Sequence, residues 1–243
     1  MPGSRVEFLP AGDTALVVQF GERVDRKLNE RVLRLAESVR AADLEGVRET
    51  VPTFRSLLVH YDPLRTRFDV LCERLRGLID SESALTVRSR RWSVPVCYES
   101  RFAPDLEEVA ERTGHSTGEV ISLHASVVYH VYMVGFLPGY PYLGDLPEAL
   151  ALPRRENPRV RVPPGSVAIA TNLAAIYSLE SPGGWHLIGA TPVRIFDPDW
   201  SPPALFAPGD RVSFVRIDED EFDRLSADVA AGRFRLQAED AGS

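Results

Sequence analysis

Residues 160–196 read VRVPPGSVAIATNLAAIYSLESPGGWHLIGATPVRIF, and this stretch decides the fold class of the second half of the chain. Short runs of Val, Ile, Leu and Ala are cut by Pro163-Pro164-Gly165 and by Pro182-Gly183-Gly184. Proline removes a backbone donor and clashes with the preceding helical turn, so long helices do not survive that punctuation. Apolar runs between turn residues read instead as strands, at the spacing of a small β-barrel or sandwich. The pattern extends outward over 135–210, which holds most of the chain's 19 prolines and nearly half of its 17 glycines. Strands are expected at 127–134, 167–170, 175–179, 186–189, 193–196 and 211–215.

Upstream the rhythm differs. TALVVQF at 14–20, bounded by Gly12-Asp13 and Gly21, reads as a strand. Asp25 caps an expected helix in which Leu28, Val32, Leu35 and Val39 share a face. Runs at 47–51 and 55–61 read as strands, Phe68, Leu71, Leu75 and Ile79 as a helix face, and 85–96 as a further strand. The order strand, helix, strand, strand, helix, strand is the ferredoxin-like α+β pattern, with two helices on one face of a four-stranded antiparallel sheet. The expectation is therefore a ferredoxin-like domain over 1–90 and a mostly β domain over 91–243. The latter would include connector helices after Pro104-Asp105 and after the capping box Ser116–Glu119, a C-terminal helix through Phe222, Leu225 and Val229, and a frayed QAEDAGS tail.

With 243 residues, 44% hydrophobic and 26% charged, the composition is that of a globular protein that buries a sizeable core. A formal net charge of −7 argues against nucleic acid or anionic lipid as partners. No apolar run reaches the roughly 18 residues of a membrane span, which gives the expectation of a cytoplasmic protein. Cys72 and Cys97 are too few for a disulfide framework, and His60, His115, His124 and His130 lack ligand spacing, so no metal site is expected. Nucleophile motifs of the G-x-S-x-G type are missing, so any enzymatic role points to work within a complex.

Three clusters carry candidate chemistry. The first holds Gly135, Phe136, Pro138, Gly139 and Tyr142, the second Gly165 and Ser166, the third Gly183, Gly184, Trp185 and His186. Glycine lets backbone approach a ligand, while Phe136, Tyr142 and Trp185 offer stacking walls. The alternative is that all three are barrel corners closed by core aromatics. His186 is the candidate catalytic residue, as acid, base or donor, against the alternative of a bonded structural histidine. Arg154 and Arg155 could clamp a carboxylate or phosphate through their guanidinium forks, against the alternative of a solvated loop or a partner contact.

The segments GDTALVVQFG, VPTFRSLLVHYDP, VYMVGFLPGYPYLGDLP, PRRENPRVRVPPGSVAIA, IYSLESPGGWHLIGATPVRIFDP and APGDRVSFV resemble the family that contains the 5-oxoprolinase B subunit, a sporulation-kinase inhibitor and proteins labelled as the first component of allophanate hydrolase. The same region occurs in the carboxyltransferase domain of urea carboxylase. The resemblance runs from about Gly12 to Ile217 and implies a cyclophilin-like barrel as the second domain. It implies ATP-dependent opening of 5-oxo-L-proline to L-glutamate, with two partners: a C subunit of homologous architecture and a lactam-binding A subunit. Gly183, Gly184 and His186, then Arg154 and Arg155, would contact ligand. The alternatives it carries are a non-catalytic module that inhibits a histidine kinase and a urea- or allophanate-related component like a carboxyltransferase.

Overall fold

The computed structural model describes residues 6–81 and 89–239, and the chain divides into two compact units, Met1–Arg88 and Ser89–Ser243. In the first unit, strands β1 (Glu7–Pro10), β2 (Ala15–Gln19), β3 (Val47–Pro52) and β4 (Ser56–Tyr61) form an antiparallel sheet in the order β1-β2-β4-β3. Helices α1 (Arg26–Ala42) and α2 (Phe68–Asp80) pack on one face of it. Alternation in the two central strands places Leu16, Val18, Leu57 and Val59 against Val32, Leu35 and Val39 of α1 and Leu71 and Leu75 of α2. Asp25 caps α1, its carboxylate accepting the Leu28 N–H at 3.1 Å.

The fourth strand of this sheet corrects the sequence reading. It is β1, from the N-terminal side, and the run expected at 85–96 does not supply it. Residues 85–88 lie outside the described residues, and β5 (Arg91–Cys97) belongs to the second unit.

There, seven strands close a barrel. In chain order they are β5, β6 (Tyr129–Val134), β7 (Pro141–Gly144), β9 (Ser166–Ala170), β10 (Leu173–Ile176), β12 (His186–Ala190) and β13 (Arg211–Ile217), with spatial order β10-β7-β6-β13-β5-β12-β9. β5 and β13 run parallel, in register from Arg91 opposite Arg211 to Cys97 opposite Ile217. A separate two-stranded ribbon joins β8 (Arg159–Val162) to β11 (Ser181–Gly183). β11 and β7 fall inside the Gly/Pro clusters, where proline and glycine masked the strand signal, and β8 lies in the basic run that precedes the second cluster.

The structure moves other elements too. Residues 193–196 are not a strand; Pro192 and Pro198 bracket them, and Phe196 forms an isolated bridge to Ala204. The strand expected at 175–179 is Leu173–Ile176. Helices α3 (Leu106–Thr113) and α4 (Thr117–Ala125) are no detached connector, since Leu106, Val109, Ala110, Val120 and Ile121 are buried in the barrel core. After α5 (Glu219–Ala230) the tail is not frayed over 237–239, where the Glu239 N–H donates to the Arg91 carbonyl at 2.8 Å. Among the described residues, no helix is long and apolar enough to cross a membrane.

Candidate functional site

Side chains alternate along β9, β10 and β12, so each strand supplies two different surfaces. Val167, Ile169, Ala174, Ile176 and Ile188 enter the main core, whereas Ala168, Ala170, Ala175 and Leu187 form the floor of a second cluster. Three alanines leave that floor shallow. Tyr140, Tyr177 and Trp185 lie on it, with Leu137 and Tyr142 partly buried beside them.

Most residues of the first and third glycine clusters converge here. Trp185 meets Tyr140 and Tyr142 edge-on, with ring centroids 6.3 and 6.1 Å apart, and Tyr140 meets Tyr177 at 5.2 Å. Edge-to-face contacts at such distances are favourable. The Tyr177 hydroxyl accepts from the Tyr140 hydroxyl and from the Trp185 backbone N–H. Gly183 passes directly over this hydroxyl, and a Cβ there would overlap it. Burial pushes the Tyr140, Tyr142 and Tyr177 phenols up, so all three stay protonated at neutral pH and do not act as bases.

Phe136 is 62% exposed and sits edge-on to Tyr140 at 5.4 Å, its backbone in the left-handed region at φ 68°. A bulky residue held there is strained, and such strain persists where the surroundings over-determine it. The Gly135 N–H donates to the Tyr140 carbonyl at 3.0 Å, and Gly139 turns the loop at φ 74°, with Pro138 exposed at the tip. Exposed Arg154 completes the rim, its guanidinium 5.9 Å from the Trp185 ring centroid. At the surface this leaves the exposed Phe136 ring, the partly exposed Tyr142 and the Arg154 cation above the buried Trp185, Tyr140 and Tyr177.

Behind the rim lies a charged layer in which Arg155 and Arg159 of the basic run 154–161 meet two acids that the sequence reading missed, Asp105 and Glu108. Asp105, 3% exposed, accepts from Arg155 at 3.0 Å, from both terminal nitrogens of Arg159 at 2.6 and 2.8 Å, and from the Leu187 N–H at 2.6 Å. Arg155 also donates to Glu108 at 2.8 Å. Desolvation raises the Glu108 carboxyl, but the Arg155 and Arg112 guanidinium groups outweigh it and hold the group below its usual range. Arg155 is therefore a tethered side chain, and Arg154 the one that reaches the patch.

His186 is fully buried and does not reach the aromatic patch. It pairs with Ile169 of β9, on the main-core side, while its neighbours Trp185 and Leu187 take the patch side. Its Nε2 donates to the Pro153 carbonyl at 3.0 Å, and its Nδ1 lies 3.8 Å from Glu108 Oε1. Gly165, at φ 83°, and buried Ser166 sit apart. A Cβ on Gly165 would collide with the Thr191 carbonyl, and Gly165 borders a separate open groove of about 550 Å³ floored by Tyr177 and Thr191. Among the described residues, no group of His, Cys, Asp and Glu is placed to hold a metal ion.

A phosphate cradle needs backbone N–H groups free to face the anion. The Gly135 and Gly165 N–H groups are already bonded, to the Tyr140 and Tyr177 carbonyls at 3.0 and 2.7 Å. Those two N–H groups are therefore not available to a phosphate.

The family model for the carboxyltransferase domain, subdomain C and D, matches residues 6–206. The chain is 38% identical over 232 residues to the 5-oxoprolinase B subunit of Bacillus subtilis, covering 90% of this chain and 95% of that protein. To the 5-oxoprolinase B subunit of Escherichia coli O157:H7 it is 42% identical over 205 residues, covering 84% and 93%. Among solved structures, TTHA0988 superposes with a TM-score of 0.76 at 40% identity over 84% of this chain, which spans only 40% of that longer one. The chain thus belongs to the family of carboxyltransferase C and D subdomains, alongside the proteins named as the B subunit of 5-oxoprolinase.

Proposed function

We propose that this chain is the B subunit of an ATP-dependent 5-oxoprolinase complex that opens 5-oxo-L-proline to L-glutamate. The observation that carries the reading is the likeness to 5-oxoprolinase B subunits along nearly their whole length, 95% of the Bacillus subtilis protein. A protein so named works within an assembly, and its partners in this reading are a C subunit of homologous architecture and a lactam-binding A subunit. A lactam is a stabilised amide. Phosphorylating its carbonyl oxygen with ATP creates a leaving group that water displaces, and the ring C–N bond then breaks.

In this reading ATP is used by the assembled complex, and the Gly135 and Gly165 N–H groups, already bonded, do not hold it. The chain contributes the patch. Arg154 holds the substrate carboxylate, Phe136 and the outer edges of Tyr142 and Trp185 border the ring and exclude water, and the buried phenols, being protonated, do not act as bases. His186 serves from behind by fixing Pro153, the residue before Arg154.

The test is ATP hydrolysis, with and without 5-oxo-L-proline, by the complex that co-purifies with a tagged copy of this chain from its native host. Stimulation by the lactam is the expected result. An intact complex that ignores the lactam would overturn the reading. Response to urea or allophanate would then favour the urea-related alternative, and no response at all a regulatory binding module.

A further inference from the structure

Asp105 occupies the N-cap position of α3, yet its side chain makes no cap hydrogen bond. An N-cap aspartate ordinarily accepts a first-turn N–H of its own helix. Here the carboxylate is turned to residues far along the chain, Arg155, Arg159 and the Leu187 N–H. The Asp105 N–H returns a bond to the Leu187 carbonyl at 3.0 Å. One buried acid thus joins α3, β12 and the 153–159 segment.

That segment carries Arg154, whose guanidinium has no such anchor among the described residues. Its two chain neighbours are both fixed. The Pro153 carbonyl accepts from His186, and Arg155 is held through its side chain by Asp105 and Glu108 and through its N–H by the Gly184 carbonyl at 2.8 Å. The same Gly184 bond ties the segment to the turn that presents Trp185. Both halves of the Arg154–Trp185 pair are therefore referred to one point.

We propose that Asp105 is the positioning residue of the site: by holding Arg155, Arg159 and β12 together it sets the Arg154 guanidinium over the Trp185 ring, where it receives the substrate's anionic group. The proposal rests on the reading that this patch binds the substrate. Asparagine at 105 keeps one acceptor oxygen but turns an NH2 toward guanidinium and N–H donors, so the anchor fails without loss of volume.

The first test uses the full chain in solution and needs no activity. The Trp185 indole N–H resonance is assigned by its loss in Trp185→Phe, and the Arg154 Nε resonance by its loss in Arg154→Ala. In Asp105→Asn the indole resonance should move toward its position in Arg154→Ala, and the Arg154 Nε signal should shift as well. Arg159→Lys, which keeps one bond to Asp105, should show a smaller shift of the same sign. It also serves where Asp105→Asn fails to fold. Both resonances unmoved in a folded variant would overturn the proposal.

The second test uses the complex. Asp105→Asn should raise the KM for the lactam about ten-fold, since small misplacements at a site are costly, with kcat within about two-fold. The increase should vanish in an Arg154→Ala background. A fall in kcat with KM unchanged, or the same loss in both backgrounds, would mean a purely structural role and overturn the proposal. A wild-type complex without lactam-dependent hydrolysis would sink the substrate assignment alone, because the resonances judge Asp105 independently.

Discussion

At the scale of single residues, Trp185 links the site to the core. It is 5% exposed, stands on Leu187 and the alanine floor, and receives Arg154 on its outer side. Trp185→Ala should lower stability by roughly 3–5 kcal/mol in chemical denaturation, the usual range for removing a buried tryptophan. A loss below about 1 kcal/mol, the scale of a surface change, would show the ring to be dispensable for packing. The adjacent His186 shows what one sequence leaves open. Gly-Gly-Trp-His marks a turn entering a strand, but which of Trp185 and His186 faces the patch depends on register, and a one-residue slip exchanges them. Pairing of His186 with Ile169 decides it. Gly183 was legible as special, while its physical reason, the Tyr177 hydroxyl beneath it, comes from a partner six residues back in the chain.

At the scale of elements, α4 is held to β13 by His124, which is fully buried and stacks on Phe214 with ring centroids 4.6 Å apart. Its Nδ1 lies 2.9 Å from the Tyr98 hydroxyl. Burial pushes the His124 imidazole down to about 3. An unfolded chain then binds a proton that the folded one refuses between about pH 6.5 and 3, so stability is full above that window and falls as pH drops through it, by at most about 1.4 kcal/mol per pH unit. Thermal melts from pH 7 to 4 should show this slope, and His124→Gln should flatten it. An equal slope in the variant would assign acid sensitivity to other groups. Local elements were readable where one period dominated, as in α1 with its Asp25 cap or the Ser116–Glu119 capping box, whose two reciprocal bonds are present. They were misread where a strand's partner is remote. β5 follows α2 in the chain, yet pairs with β13 more than a hundred residues later, and no local pattern distinguishes that from completing the first sheet.

At the scale of the whole molecule, two compact units with separate cores are joined in one chain, and the family match runs across both. The division into an α+β half and a β half followed from the change in proline and glycine density. The barrel was expected from the family resemblance and seven strands close it, but proline and glycine density alone does not specify that closure, which depends on the pairing of β9 with β10 and the parallel β5–β13 ladder. Of the candidate site, the ring-bearing residues and Arg154 were visible as motifs. Asp105 and Tyr177 were hidden, one as an ordinary helix start and the other inside an apolar run. Everything proposed for the site depends on the patch around Trp185 meeting the substrate through Arg154. The lactam KM of the assembled complex decides this, measured for Arg154→Ala beside Arg161→Ala, a surface arginine paired with Glu180. Arg154→Ala should raise KM about ten-fold or more, as expected for loss of a charged hydrogen bond, while Arg161→Ala should leave it unchanged. Wild-type KM and kcat in Arg154→Ala would contradict a role for this patch in holding the substrate.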